Sequence, residues 1–100
     1  MHVISFKKLK QFWQSHPDAE VSLRYWHKLT TVHKWQSFND IVQTFSRADK
    51  VKNFVVFDIG GNNFRLITYV DYLHGKVFIR DVLTHAEYDK ERWKKDDWYQ

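Results

Sequence analysis

Four residues in the last third of the chain carry side chains suited to phosphate chemistry: Arg65, Arg80, His85 and Tyr88. Paired guanidiniums bind a phosphate through forked N–H donors and stabilise charge that grows on its oxygens. A histidine and a tyrosine can take up and return protons near neutral pH. Together they are what cleavage of an RNA phosphodiester without a metal requires: a base for the 2′-hydroxyl, a clamp for the phosphate and an acid for the leaving oxygen. Each residue also has a structural reading. Thr84-x-x-Glu87 fits a capping box, so "THAEYD" starts a helix whatever else it does. Arg65 falls opposite Asp58 in one hairpin register, where the two would form a surface ion pair of small energetic value.

The elements that would position these residues follow from periodicity. Ser5 to Ser15 reads as a helix, with Leu9, Phe12 and Trp13 at helical spacing between lysines. Pro17 ends it and opens a second, in which Asp18 and Glu20 suit the positive N-terminal end. This second helix runs to about Lys34, with Val21, Tyr25, Leu29 and Val32 as its apolar stripe and Arg24, Lys28 and Lys34 solvated. "SFNDIVQTF" predicts a short third helix capped by Ser37. After "SRADKVKN" the period changes to two, and "FVVFDI", "FRLITYVDYL" and "KVFIRDVL" read as three strands joined by "GGNN" and "LHGK". Helices followed by an antiparallel meander predict one α+β domain over 1–100: a helical part at about 5–46, a sheet at about 54–84 and a C-terminal segment, 85–100, with a short helix.

Register then places the side chains. A two-residue loop at His74-Gly75 pairs Leu73 with Lys76, Tyr69 with Arg80, and Arg65 with Thr84. Strict alternation puts Val55, Phe57, Ile59, Phe64, Leu66, Val70, Val77, Ile79 and Leu83 on a core face covered by the N-terminal helices. Asp58, Arg65, Ile67, Tyr69, Phe78, Arg80 and Val82 fall on the other face. In this register Arg65 and Arg80 reach toward one point, and His85 leaves the sheet beside Arg65. In the first turn of a helix the backbone dipole disfavours a charged imidazole, which suits His85 to proton transfer, and Tyr88 follows at i+3 on the same side.

Composition excludes several other chemistries. One hundred residues, 43% of them hydrophobic and 18% aromatic, make a single globular domain. Without cysteine there is neither a disulfide framework nor a thiolate nucleophile. His2, His16, His27, His33 and His74 show no metal-ligand spacing, so no metal ion or other cofactor is expected. "IGGNN" joins two strands and is a turn rather than a phosphate loop. No apolar run has the length of a membrane span, and the start lacks an apolar h-region, so a cytoplasmic protein without membrane contact is expected. The net charge of +4 suits a polyanionic partner. Lys7, Lys8 and Lys76 would meet phosphates, and Tyr69 and Phe78 would offer rings to bases if the second sheet face is open. A non-catalytic RNA-binding module, or a purely protein-interacting one, is the alternative to an enzyme. The tail "KERWKKDDWYQ" reads either as the end of the last helix or as a partner-docking segment.

With these residues in view, the chain strongly resembles the HigB family, RelE-like mRNA interferases of bacterial type II toxin–antitoxin systems. The likeness is carried by "VVFDIGGNNFRLI" followed by "VFIRDVLTHAEYDK", with "MHVISFKKLKQFW", "HPDAEVSLRYWHKL" and "WQSFNDIVQTFSRADKV" before them. It runs from Met1 to about Asp89. The resemblance implies a RelE-like fold, an endoribonuclease that cuts mRNA on the ribosome, and neutralisation by a cognate HigA-type helix-turn-helix antitoxin. It assigns the catalytic positions to Arg65, Arg80, His85 and Tyr88.

Overall fold

A computed structural model describes residues 1–100. Strand β1 (His2–Ile4) is followed by helices α1 (Phe6–Ser15), α2 (Glu20–Val32) and α3 (Phe38–Thr44). A single 3-10 turn at Pro17–Ala19 links α1 to α2. Strands β2 (Asp49–Val51), β3 (Phe54–Ile59), β4 (Phe64–Asp71) and β5 (Lys76–Thr84) follow, then α4 (His85–Asp89) and a second 3-10 turn at Arg92–Lys95. The five strands lie in the order β1-β5-β4-β3-β2. All neighbours are antiparallel except β1 and β5. The expected α+β architecture and its three main strands are present. Two short edge strands, β1 and β2, extend the meander where three-residue stretches are too short to register as a period.

The main core lies between the sheet and the N-terminal helices. Leu9 and Trp13 of α1, Leu23 and Trp26 of α2 and Ile41 of α3 pack with Val55, Phe57, Leu66, Val77 and Ile79. The Trp26 ring meets Phe57 edge-on at 5.4 Å. Here one expectation fails. Val21, Tyr25 and Val32 point to solvent, with Val21 80% exposed, and the buried face of α2 is Leu23, Trp26 and Thr30. Both stripes have helical spacing, and the one that buries the indole of Trp26 removes more apolar surface from water, so it sets the rotation of the helix. Ser37 caps α3 as expected, accepting a hydrogen bond from the Asp40 amide.

The second sheet face is also covered. Trp93 lies buried against Phe54, Val56 and Ile67, with Tyr69, Leu83, Tyr88 and Tyr99 around it. The tail is therefore a structural layer: Trp93 is buried on the sheet, and Trp98, still 38% exposed, rests against Phe78.

The β4–β5 register corrects the sequence reading. Asp71 pairs with Lys76, Tyr69 with Phe78 and Arg65 with Leu83, not Leu73 with Lys76, Tyr69 with Arg80 or Arg65 with Thr84. The connection is four residues long, and Asp71 holds it by accepting from the His74 amide at 3.1 Å. Thr68 pairs with Ile79 but Ile67 with Asp81, so Arg80 is one residue too many: a β-bulge. Beyond it Val82 enters the main core and Leu83 faces the tail, the reverse of the expected faces. The β3–β4 turn keeps its expected register, with Ile59 opposite Phe64 and Asp58 opposite Arg65. Gly60 and Gly61 there have φ of +61° and +68°, the left-handed region that favours glycine.

Candidate active site

Arg65 lies near the start of β4, and His85 opens α4 directly after β5, so the β4–β5 pairing brings the two together. The helix begins there because Thr84 and Glu87 form a complete capping box: the Thr84 hydroxyl accepts from the Glu87 amide, and the Glu87 carboxylate accepts from the Thr84 amide. The bond from the Thr84 amide, with a smaller contribution from the Thr84 hydroxyl, holds the Glu87 carboxyl below its usual range. The His85 amide is held at 2.9 Å by the Asn63 carbonyl, tying α4 to the β3–β4 turn.

Arg65 is 7% exposed, and all three nitrogens of its guanidinium are engaged. Nη1 donates to the carbonyls of Asn62 (3.2 Å) and Phe64 (3.1 Å). Nη2 donates to the Asn62 side-chain oxygen and to His85 Nδ1, the latter at 3.1 Å. Nε faces Asp58 Oδ1 at 3.3 Å. The ion pair with Asp58 is present, but Arg65 is buried, so this is not the weak surface pair anticipated from the register. Because a guanidinium only donates, Nδ1 of His85 is the acceptor and the proton of the neutral ring sits on Nε2. Nε2 in turn lies 3.3 Å from Asp89 Oδ2, one turn along α4.

Tyr88 completes the cluster. Its ring stacks on Trp93 at 5.2 Å and 9°, and the Arg65 Cζ lies 5.5 Å from its centroid. Burial, joined by the negative charge of Asp49, pushes the phenol above its ordinary value against the opposing pull of Arg65. The hydroxyl therefore stays protonated at neutral pH.

Arg80 sits elsewhere. Its Nε and Nη2 bind both oxygens of Asp96 at 2.8 Å, and its Cζ lies 3.8 Å over the Trp98 ring. The expected meeting of the two arginines is absent, because the bulge and the tail give Arg80 its own carboxylate and aromatic partner. Tyr69 and Phe78 are likewise engaged within the chain, at 5.6 Å and 5.3 Å from Trp98. The second sheet face is thus not an open stacking platform. Lys7, Lys8 and Lys76 are exposed, and Lys8 Nζ reaches the Arg80 carbonyl at 3.5 Å. Sequence reasoning missed Asn62 and Asp96. Asn62 is recognisable only once the turn is known to bend back on Arg65, and Asp96 lies sixteen positions from Arg80, beyond any local period.

The Arg80–Asp96 pair has a pH signature. The hydrogen bonds from Arg80 hold the Asp96 carboxyl below its ordinary 3.8. A depressed folded-state pKa contributes stability that is present above 3.8 and is lost as pH falls through the folded value. Thermal melts between pH 5 and 2 are expected to show the parent losing more stability below 3.8 than Asp96→Asn, which starts lower and falls less steeply there. Identical slopes would mean that the pair contributes nothing to folding.

Comparisons with known proteins identify the family of the chain. A family profile described as "HigB_toxin, RelE-like toxic component of a toxin-antitoxin system" matches residues 19–91. The mRNA interferase HigB of Escherichia coli O6:H1 is 27% identical over 93 residues, covering 90% of each chain. The mRNA interferase toxin HigB of Escherichia coli K12 is 29% identical over 92 residues, covering 89% of this chain and 88% of its own. The mRNA interferase HigB of Shigella flexneri is similar to the same degree. With the profile spanning Arg65, Arg80, His85 and Tyr88, this chain belongs to the HigB family of RelE-like toxins.

Proposed function

We propose that the chain is an endoribonuclease that cuts mRNA on the ribosome without a metal ion and so halts translation. The 2′-oxygen of the substrate attacks the adjacent phosphorus, the bond from phosphorus to the 5′-oxygen breaks, and a 2′,3′-cyclic phosphate and a 5′-hydroxyl end result. His85 takes the 2′ proton and Tyr88 supplies one to the leaving oxygen, a division favoured by the burial that keeps the phenol protonated. The contact between Arg65 Nη2 and His85 Nδ1 is the observation that carries this reading. An incoming phosphate competes for the Nη2 donor, and as it gains the guanidinium it frees the imidazole lone pair to act as base. Arg80, with Nη1 outside its bonds to Asp96, meets the RNA backbone together with Lys7, Lys8 and Lys76.

Membership of a toxin–antitoxin family implies a cognate antitoxin. A HigA-type helix-turn-helix protein fits that role, binding the toxin and keeping it from the ribosome. No helix is long and apolar enough to cross a membrane. Expression of the chain alone is expected to arrest growth, and co-expression of the antitoxin to restore it. His85→Ala, at the half-buried start of α4, is expected to relieve the arrest while the purified protein melts within a few degrees of the parent. Undiminished toxicity of a folded His85→Ala protein would remove His85 from the reaction.

A further inference from the structure

A groove of about 600 Å³ runs between α1 and the far half of β5, lined among others by Lys8, Phe12, His16, Asp81 and Glu87. It exists because β1 pairs only with Lys76–Phe78, leaving the edge of β5 from Arg80 onward without a neighbouring strand. The bulge at Arg80 turns Asp81 into this groove. Asp81 is half-buried and forms no ion pair. One oxygen accepts from the Val82 amide at 2.9 Å, and the other has no partner in the chain. Burial raises the Asp81 carboxyl above its ordinary value, so the fold keeps a carboxylate where it is costly to ionise and does not use it for pairing. One wall is aromatic: the Phe12 and His16 rings stack at 4.2 Å and 9°. The volume lies in the range of small-ligand sites, roughly 300–1,000 Å³. The groove also borders α4, whose first residue is His85.

Resting on the ribonuclease reading, we propose that this groove holds the base beside the scissile phosphate and that Asp81 selects guanine. A carboxylate is an acceptor at both oxygens, and guanine alone offers two adjacent N–H donors, N1–H and the N2 amino group, on one edge. Phe12 and His16 bound the base on one side, and Lys8 faces the phosphate that leads to it. Asp81→Asn keeps shape and the Val82 bond but replaces one acceptor by a donor, so it no longer matches guanine.

The test is to map RNA 5′ ends in a translating extract for the parent and for Asp81→Asn. Parent cuts are expected to be enriched for guanine at one position flanking the break. In Asp81→Asn that enrichment is expected to fall by about tenfold, within the discrimination of a bidentate base contact. Parent cuts with no guanine preference would overturn the proposal without touching the ribonuclease reading, and so would a variant with the parent's preference. If the variant instead loses only its grip on the antitoxin, Asp81 is a protein contact and the proposal is overturned. A parent that makes no cuts removes both readings.

Discussion

Arg65→Lys is expected to lose most of its activity and part of its stability together. The guanidinium serves Asn62 twice, Phe64, His85 and Asp58 from one fork. An ammonium has three donors on one atom and cannot reach all five, so two or more acceptors in a buried site lose their partner. At about 1–3 kcal/mol for each unsatisfied group, the expected loss of stability is at least about 2 kcal/mol. Nδ1 of His85 would no longer be fixed as acceptor, and the developing phosphate charge would lose its planar donor. A drop in cleavage of about 100- to 1,000-fold is expected. Denaturant unfolding measures the first effect, and single-turnover cleavage at a temperature where both proteins are folded measures the second. Parent-like stability with parent-like cleavage would show that the fork matters to neither.

The types of Arg65 and His85 were readable from the sequence, and so was their nearness, though from a register one residue out. The capping box of "THAE" marked where His85 leaves the sheet, and Arg65 opposite Asp58 was one of the registers that "GGNN" allowed. The burial of Arg65 was not readable. Asn62 reaches it from a turn that bends back on it, and a tail covers the face on which it stands; neither leaves a periodic signal. The same tail explains Arg80. A strand arginine looks free until Asp96 and Trp98, far along the chain, are folded over it.

Trp93→Ala is the largest expected loss of stability. The indole is 6% exposed, stacks on Tyr88 and packs against Phe54 and Tyr99. Its Nε1 also donates to the Tyr88 carbonyl at 3.1 Å. Truncating a buried tryptophan costs about 3–5 kcal/mol. In a domain of this size, that corresponds to a melting temperature lower by more than about 12 °C. Trp93→Phe keeps an aromatic ring but loses part of the indole and its N–H donor, and is expected to cost less than Trp93→Ala, about 1–2 kcal/mol. Because Trp93 is the surface on which Tyr88 rests, cleavage by Trp93→Ala is expected to fall even at temperatures where it is folded. A melting temperature within two or three degrees of the parent's would mean that the tail is not a layer of the fold.

Elsewhere the errors of sequence reading have one cause, the choice between alternatives that local pattern leaves equal. Val21, Tyr25 and Val32 and the set Leu23, Trp26 and Thr30 both have helical spacing on α2, and only the bulk of Trp26 against Phe57 decides between them. On β5, alternation is a sound guide up to Ile79 and fails after it, because the extra residue at Arg80 shifts every later side chain to the other face. That shift carries Val82 into the core, turns Leu83 toward Trp93 and opens the groove beside Asp81. β1 pairs in parallel with a strand more than seventy positions away, a partner no short window can supply.

The most direct measurement of the ribonuclease reading is the chemistry of the new RNA ends made in a translating extract by the parent and by His85→Ala. Attack by the 2′-oxygen leaves 5′-hydroxyl ends, which accept phosphate from a polynucleotide kinase before they can be ligated and mapped. The expected result is abundant kinase-dependent 5′ ends with the parent and a loss of about 100-fold or more with folded His85→Ala, the scale of a missing proton-transfer group. Ends that carry a 5′-phosphate, or RNA held by the protein without new ends, would contradict the assignment of Arg65, His85 and Tyr88 as the catalytic cluster.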